Sequence, residues 1–342
     1  MPRTRILSFI LAVLSLTPAL AASAQTAPAY HYFRLGNATN VGATPRAGYA
    51  LMGGGTDLDK AFVWLCGRAN GGDLLVLRAT GDDDYNPYIQ NLCHLNSVAT
   101  VLIPNRTAAI DPFVVQAISH ASALFIAGGD QANYINFWQG TPVQTALNEA
   151  IRRGVPIGGT SAGLAVLGEY AYTAQVDKPD DPNLESKTAL ADPFGPRITL
   201  AHNFLEIPIL KNILTDSHFA RRDRMGRLLA FLARLNAPDG NPLPALVSGI
   251  RGIGVEQGAV VLVEPGGKAA IIGHGNAYFV DTRSATGKVV RATPLTFGDY
   301  CIAKVTPGHS FNLATWTGEA TLYKLSVQAG VVHSTQTGGA VY

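Results

Sequence analysis

Gly154-Val-Pro-Ile-Gly-Gly-Thr-Ser161-Ala-Gly-Leu-Ala-Val-Leu-Gly168 reads as a short buried strand, a sharp turn and the start of a helix. Its centre, Gly159-Thr160-Ser161-Ala162-Gly163, has the G-x-S-x-G pattern of a nucleophile elbow. There, small flanking residues let the backbone turn tightly enough to expose a serine oxygen above a sheet. A serine so placed sits at a helix N-terminus, with the Ala162 amide facing any oxyanion formed there. Taken alone, the pentapeptide reads equally well as a glycine-rich turn with Ser161 capping a helix.

The flanking chain shifts that balance. Tyr49 to Met52, Leu74 to Leu77, Val98 to Ile103 and Ala123 to Ala127 are short apolar runs. Polar or glycine-rich ends follow three of them: Gly53-Gly54-Gly55, Gly81 to Asp84, and Gly128-Gly129-Asp130-Gln131. Helices are expected near Asp57, from about Pro87, and at Asp111-Pro112 and Thr141-Pro142, where Pro takes the first helical position. Alternating strands and helices predict a parallel sheet covered on both faces, with ligands beyond the carboxyl ends of its strands. The glycine-rich ends and Ser161 would gather at that edge. The Gly129 amide would then face the same oxyanion as that of Ala162.

Downstream, Thr173 to Arg197 is rich in Asp, Pro, Lys and Ser and is expected to be a lid or binding loop. Next comes Asp216-Ser-His218-Phe-Ala-Arg-Arg222-Asp-Arg224-Met-Gly-Arg227, a histidine among four arginines. A charge run usually means a solvated helix face. The interleaved Asp216 and Asp223, and the suitability of arginine forks for carboxylates, point instead to a mixed cleft for a peptide with acidic and basic groups. Beyond Gly252-Ile-Gly-Val-Glu256-Gln257, short alternating strands separated by Gly, Pro and Asp predict an antiparallel region. Its His274, His309 and His333 read as ordinary turn or surface residues. No H-E-x-x-H pattern, phosphate loop or C-x-x-C pair is present, so a zinc site is not expected.

Residues 1–24 combine Arg3 and Arg5, an apolar run from Ile6 to Leu16 and Ala22-Ser-Ala24, the pattern of a secretory signal peptide. A secreted or periplasmic chain with no membrane attachment after cleavage is expected. Without that leader the basic residues equal the 24 acidic ones, so nothing suggests a nucleic-acid partner. Residues 25–45 form an extended lead-in, 46–280 the α/β domain and 281–342 a C-terminal β extension. Export makes a disulfide available, and Cys66 and Cys93, on neighbouring helical segments of one α/β unit, are the expected pair, with Cys301 free.

Four separated motifs carry a resemblance. They are Phe125-Ile-Ala-Gly-Gly-Asp-Gln131, Gly158-Gly-Thr-Ser-Ala-Gly163, Asp216-Ser-His-Phe219 with its arginines, and Gly252-Ile-Gly-Val255 before an acidic position. Over roughly residues 45–280 the chain resembles the cyanophycinase and dipeptidase E group of serine peptidases, and its exported cyanophycinase-like members in particular. The resemblance implies a flavodoxin-like α/β fold akin to class I glutamine amidotransferases, a Ser-His-acid triad with neither a metal nor an organic cofactor, and aspartyl or β-aspartyl peptide substrates. It assigns Ser161 as nucleophile, His218 as base, Gly129 and Ala162 as oxyanion donors, and Asp130, Gln131, Asp216, Arg222, Arg224 and Arg227 as substrate-binding. A homodimer is compatible with it.

The chain departs from the pattern at one place. Family members often read Asp-Glu where this chain has Glu256-Gln257, so an ungapped alignment puts Gln257 in the acid's position. A β-bulge after Gly254 would instead turn Glu256 toward His218, and Glu256 is the expected acid. Two alternatives stay open: an α/β-hydrolase-type esterase using Asp281 and His309, and an exported binding protein that kept the fold and lost the acid.

Overall fold

The computed structural model describes residues 27–176, 183–237 and 249–342. The expected leader lies outside the described residues. Strand β1 (His31–Gly36) precedes a repeated strand-and-helix order: β2 (Tyr49–Met52) and α1 (Asp59–Ala69), β3 (Asp73–Arg78) and α2 (Tyr85–Cys93), and β4 (Ser97–Leu102) with α3 (Arg106–Ala109) and α4 (Pro112–His120). Then come β5 (Ala123–Ile126) with α5 (Gln131–Trp138) and α6 (Pro142–Arg152), and β6 (Ile157–Thr160) with the single-turn α7 (Ala162–Ala165). The chain continues through β7 (Tyr170–Tyr172), α8 (Ser186–Ala191), β8 (Leu200–His202), β9 (Ile213–Asp216), α9 (Met225–Asn236) and β10 (Arg251–Val255). It ends in β11 (Ala259–Val263), β12 (Lys268–Gly273), β13 (Ala277–Asp281), β14 (Thr286–Lys288), β15 (Thr296–Val305), β16 (Ser310–Asn312), β17 (Thr317–Gly318), β18 (Thr321–Gln328) and β19 (Val331–Ser334).

Two sheets result. The first runs β1-β4-β3-β5-β6-β2-β11-β12-β16-β17, and its five strands from β4 to β2 are parallel. The expected parallel sheet is therefore present. Strands β4-β3-β5-β6 follow the flavodoxin-type order, and β2, which precedes them in the chain, fills the next place. The second sheet runs β19-β18-β15-β13-β10-β9-β7-β8, with β10-β9 and β9-β7 parallel. The strands after Gln257 are thus divided between both sheets. The lead-in is not wholly irregular: β1 pairs antiparallel with β4 as an edge strand. His31-Tyr-Phe-Arg-Leu-Gly36 hides this because an edge strand, open on one side, needs no clean apolar alternation.

The two-residue period of a strand sorts the core. Ala50, Met52, Leu74, Val76 and Phe125 pack with Phe62 and Leu65 of α1 and Ile89 of α2. Their neighbours Leu51, Leu75, Leu77, Leu124 and Ile126 face α4 and α6 and also the second sheet, through Ile253, Val255 and Phe279. The opposite face of that second sheet, Tyr278, Val280, Tyr300 and Ile302, is covered by Leu228, Phe231 and Leu232 of α9. Cys66 and Cys93 are bridged, with Cα atoms 5.9 Å apart, and Cys301 is free. Asp111 caps α4 as expected, accepting from Phe113 N at 2.8 Å. The segment read as a lid contains α8, whose Ser186 packs at Gly226 of α9, while residues 177–182 lie outside the described set.

Candidate active site

β6 delivers Ser161 to the carboxyl edge of the first sheet. Its backbone is held at φ 53°, ψ −113°, a conformation L-residues rarely adopt. The surroundings enforce it. Ser161 N donates to Met52 O at 3.1 Å, and Gly163 packs so tightly that a Cβ there would lie 2.0 Å from Ile126 O. β9 of the second sheet delivers His218, 6% exposed and held at φ 48°, through the bond from its amide to Gly53 O at 2.8 Å. Its imidazole lies over Gly54, where a Cβ would come within 2.5 Å of Cε1. The consequence is a 2.6 Å hydrogen bond between Ser161 Oγ and His218 Nε2.

The other imidazole nitrogen, Nδ1, is 2.6 Å from Gln257 Nε2. The expectation that Glu256 serves as the acid is therefore corrected. β10 ends at Val255, and Glu256 to Ala259 form a turn closed by Ala259 N donating to Glu256 O at 3.1 Å, so no bulge carries Glu256 inward. The turn presents Gln257 to the histidine. The Glu256 carboxylate faces β13 instead, accepting from Asn276 N at 2.8 Å and Tyr278 OH at 2.7 Å.

Gly128 and Gly129 follow β5 beside the elbow. Tyr134 OH donates to Ala127 O at 2.8 Å and Gly128 O at 3.1 Å. Because N–H and C=O point opposite ways across a trans peptide, fixing the Gly128 carbonyl also fixes the direction of the Gly129 N–H. Tyr134 was not singled out in the sequence; its position one helical turn into α5 after Gly-Gly-Asp was the available signal.

Residues 78–224 match the sequence model of peptidase family S51. A cyanophycinase from Synechococcus elongatus is 27% identical over 226 residues, spanning 65% of this chain and 62% of that protein. A cyanophycinase from Geminocystis herdmanii is 26% identical over 218 residues, 62% of this chain and 70% of that protein. Over residues 78–224 the chain is thus similar to peptidase family S51. Its fold also resembles a crystal structure of a peptidase from an acI-B1 actinobacterium, at a TM-score of 0.50 and 15% identity, covering 79% of this chain and 98% of that one. The match thus spans less than two thirds of the Synechococcus protein.

In this chain the arginine cluster divides. Arg227 grips Asp216 bidentately, Nε to Oδ2 at 2.8 Å and Nη2 to Oδ1 at 2.6 Å, and all but 1–2% of both residues is buried. Arg224, also buried, donates to Asp216 Oδ1, Ser217 O and Asn183 Oδ1. Asp216, Arg224 and Arg227 were expected at the substrate; the structure turns them inward as a network behind the His218 turn. Arg222 alone of the three arginines is exposed, and its guanidinium has no partner among the described residues. Asp130 caps α5 by accepting from Ala132 N at 2.9 Å, and Gln131 is half-buried at the first position of that helix. Asp82 of the Gly81 to Asp84 loop is tied to Arg78.

Two arginines around one aspartate leave the buried network positive. Burial works against the Asp216 charge, but Arg227 and Arg224 outweigh it and hold the carboxyl below its ordinary range. Burial, and then Arg227, lower the Arg224 guanidinium to about 9, with Asp216 opposing. Burial, and then Arg222 and Arg224, push His218 down to about 4, with Asp216 opposing. The imidazole is therefore neutral at ordinary pH, as a proton acceptor must be. No group of three or more metal-ligand side chains occurs among the described residues.

Proposed function

We propose that this chain is an exported serine-type hydrolase of the cyanophycinase-like kind, cleaving aspartyl or β-aspartyl peptide bonds through Ser161 and His218. One observation carries the reading: a serine oxygen on a strained strand-to-helix turn, 2.6 Å from an imidazole nitrogen. That is the reach a general base needs. His218 takes the Oγ proton as Oγ attacks the scissile carbonyl carbon. The Ala162 and Gly129 amides receive the oxyanion, the imidazolium returns its proton to the leaving nitrogen, and water repeats the sequence on the acyl-enzyme. Arg222 and Gln131 are assigned to the substrate, Arg222 to its carboxylate. The signal-like N-terminus and the Cys66–Cys93 bridge support an oxidising, extracytoplasmic setting.

Gln257 limits this chemistry. With Nε2 facing Nδ1, the amide donates to the ring, so the ring's own proton sits on Nε2 and donates to Ser161 Oγ. A half-turn of the amide presents Oε1 instead, which accepts Nδ1–H and frees Nε2 to accept the serine proton. Even then a neutral amide does not offset the imidazolium charge. The same observation favours a second reading, an exported binding protein with residual chemistry. The esterase alternative has less support, because Asp281 is paired with Arg251 and Arg283 and His309 is bonded to Thr306.

The test is hydrolysis of cyanophycin, β-aspartyl and α-aspartyl peptides and p-nitrophenyl esters by the mature chain. Slow cleavage of aspartyl peptides that disappears in Ser161→Ala is expected. Ester cleavage alone would transfer the chain to the esterase reading. Tight aspartyl-peptide binding without Ser161-dependent product would make it a binding protein.

A further inference from the structure

The Met52–Asp57 segment touches Ser161, His218 and the turn that carries Gln257. Met52 O accepts from Ser161 N, Gly53 O accepts from His218 N, and Gly54 O accepts from Gly258 N at 3.0 Å, fixing the turn that carries Gln257. The imidazole lies over Gly54, and Gly55 faces the Gln257 side chain. These contacts make Ser161, His218 and Gln257 depend on where one short loop sits. Loops of glycine hold a position poorly unless something anchors them.

Asp57 ends that loop, half-buried, and its two oxygens go to different elements. Oδ1 accepts from Thr160 Oγ1 at 2.7 Å, and Oδ2 accepts from Tyr85 OH at 2.6 Å. Thr160 is buried and directly precedes Ser161; Tyr85 opens α2. We propose that Asp57 is a positioning residue whose carboxylate clamps the Gly53–Gly55 loop to Thr160, and so sets the distance between Ser161 Oγ and His218 Nε2. The role is geometric, since the charges that bear on His218 are those of Arg222, Arg224, Asp216 and Arg227. It rests on the Ser161–His218 reading of the function.

The geometry makes the neutral isostere a discriminating variant. In Asp57→Asn the amide oxygen still accepts from Thr160 and the amide nitrogen can donate to Tyr85 OH, so the clamp survives without its charge. Asp57→Ala and Thr160→Val each remove it. Both should lower kcat on an aspartyl peptide by roughly ten- to a hundredfold through misplacement of the reacting pair, with KM within about twofold. The double variant should be little worse than either single one, because one contact is removed in both cases. Asp57→Asn should recover most of the rate. Asp57→Asn as impaired as Asp57→Ala would overturn the clamp in favour of charge. A kcat loss explained by a smaller folded fraction in thermal melts would overturn it in favour of plain stability. Crystal structures of the Asp57→Ala and Thr160→Val variants read the clamp without any substrate. A Ser161–His218 bond unchanged in both would refute it, whereas a lengthened bond in a chain that cleaves no peptide would refute only the proposed function.

Discussion

At the scale of single residues the chemistry turns on which of two neighbours meets His218. Gln257→Glu would place a carboxylate against Nδ1, and an opposite charge at that distance favours the imidazolium. Turnover is expected to rise at least about tenfold, the converse of the roughly 10⁴-fold loss when a serine protease's aspartate becomes asparagine. The acid limb of the kcat/KM profile should also move up from its natural position near the His218 value of about 4. Unchanged turnover with an unmoved limb would show that the amide is not what restrains the reaction. Glu256→Gln should leave kcat near wild type and lower only the melting temperature, through weaker acceptance from Asn276 and Tyr278. The depressed His218 pKa also affects folding. The unfolded histidine takes up its proton near 6.5 and the folded one near 4, so this residue's contribution to stability falls as pH drops through that window. Chemical denaturation of wild type and His218→Asn at pH 7 and pH 5 should show a smaller pH-dependent loss in the variant.

At the scale of elements two constraints carry most of the leverage. The Cys66–Cys93 bridge joins α1 to α2 across 27 residues, and a loop of that length gives about 3–4 kcal/mol in the chain-entropy account of disulfides. Cys66→Ser with Cys93→Ser should lose about that much in urea denaturation, and the wild type should lose a similar amount with reductant. The Asp216–Arg227–Arg224 network behaves differently. Removing one partner of a buried pair strands the rest, so Asp216→Asn is expected to cost roughly 3–5 kcal/mol, against little for Arg222→Ala, which should instead raise KM. The elements themselves were legible: Asp111-Pro112, Thr141-Pro142 and the apolar runs marked helices and strands within a few residues of their observed ends. The orientation of the arginines was not. Position along a charged segment gives spacing but not which side of α9 meets a buried aspartate, and that was settled by packing against α8.

At the scale of the molecule the site lies on a seam. Ser161 follows a strand of the first sheet and His218 one of the second, the Gln257 turn runs from β10 of the second into β11 of the first, and the Met52–Asp57 loop contacts all three. Sequence motifs named both halves of the pair but not Tyr134, Asp57 or the Glu256–Gln257 choice, because those depend on a turn and on cross-sheet contacts with no local signature. The C-terminal strands brace the seam: β15 lies between β13 and β18, β16 extends β12, and Phe311 stacks on Phe279 at 4.0 Å within the core shared by both sheets. A chain ending at Pro294 is therefore expected to lose its cooperative melt rather than persist as an active core, which circular dichroism would read directly. The topology bears as well on how the protein is made. β2 is paired by β6 on one side and by β11 on the other, and β11 is synthesised some two hundred residues after β2. Until it emerges, a ribosome-bound chain offers Tyr49-Ala-Leu-Met52 as an open apolar edge, so recombinant yield should depend on chaperones that shield nascent strands.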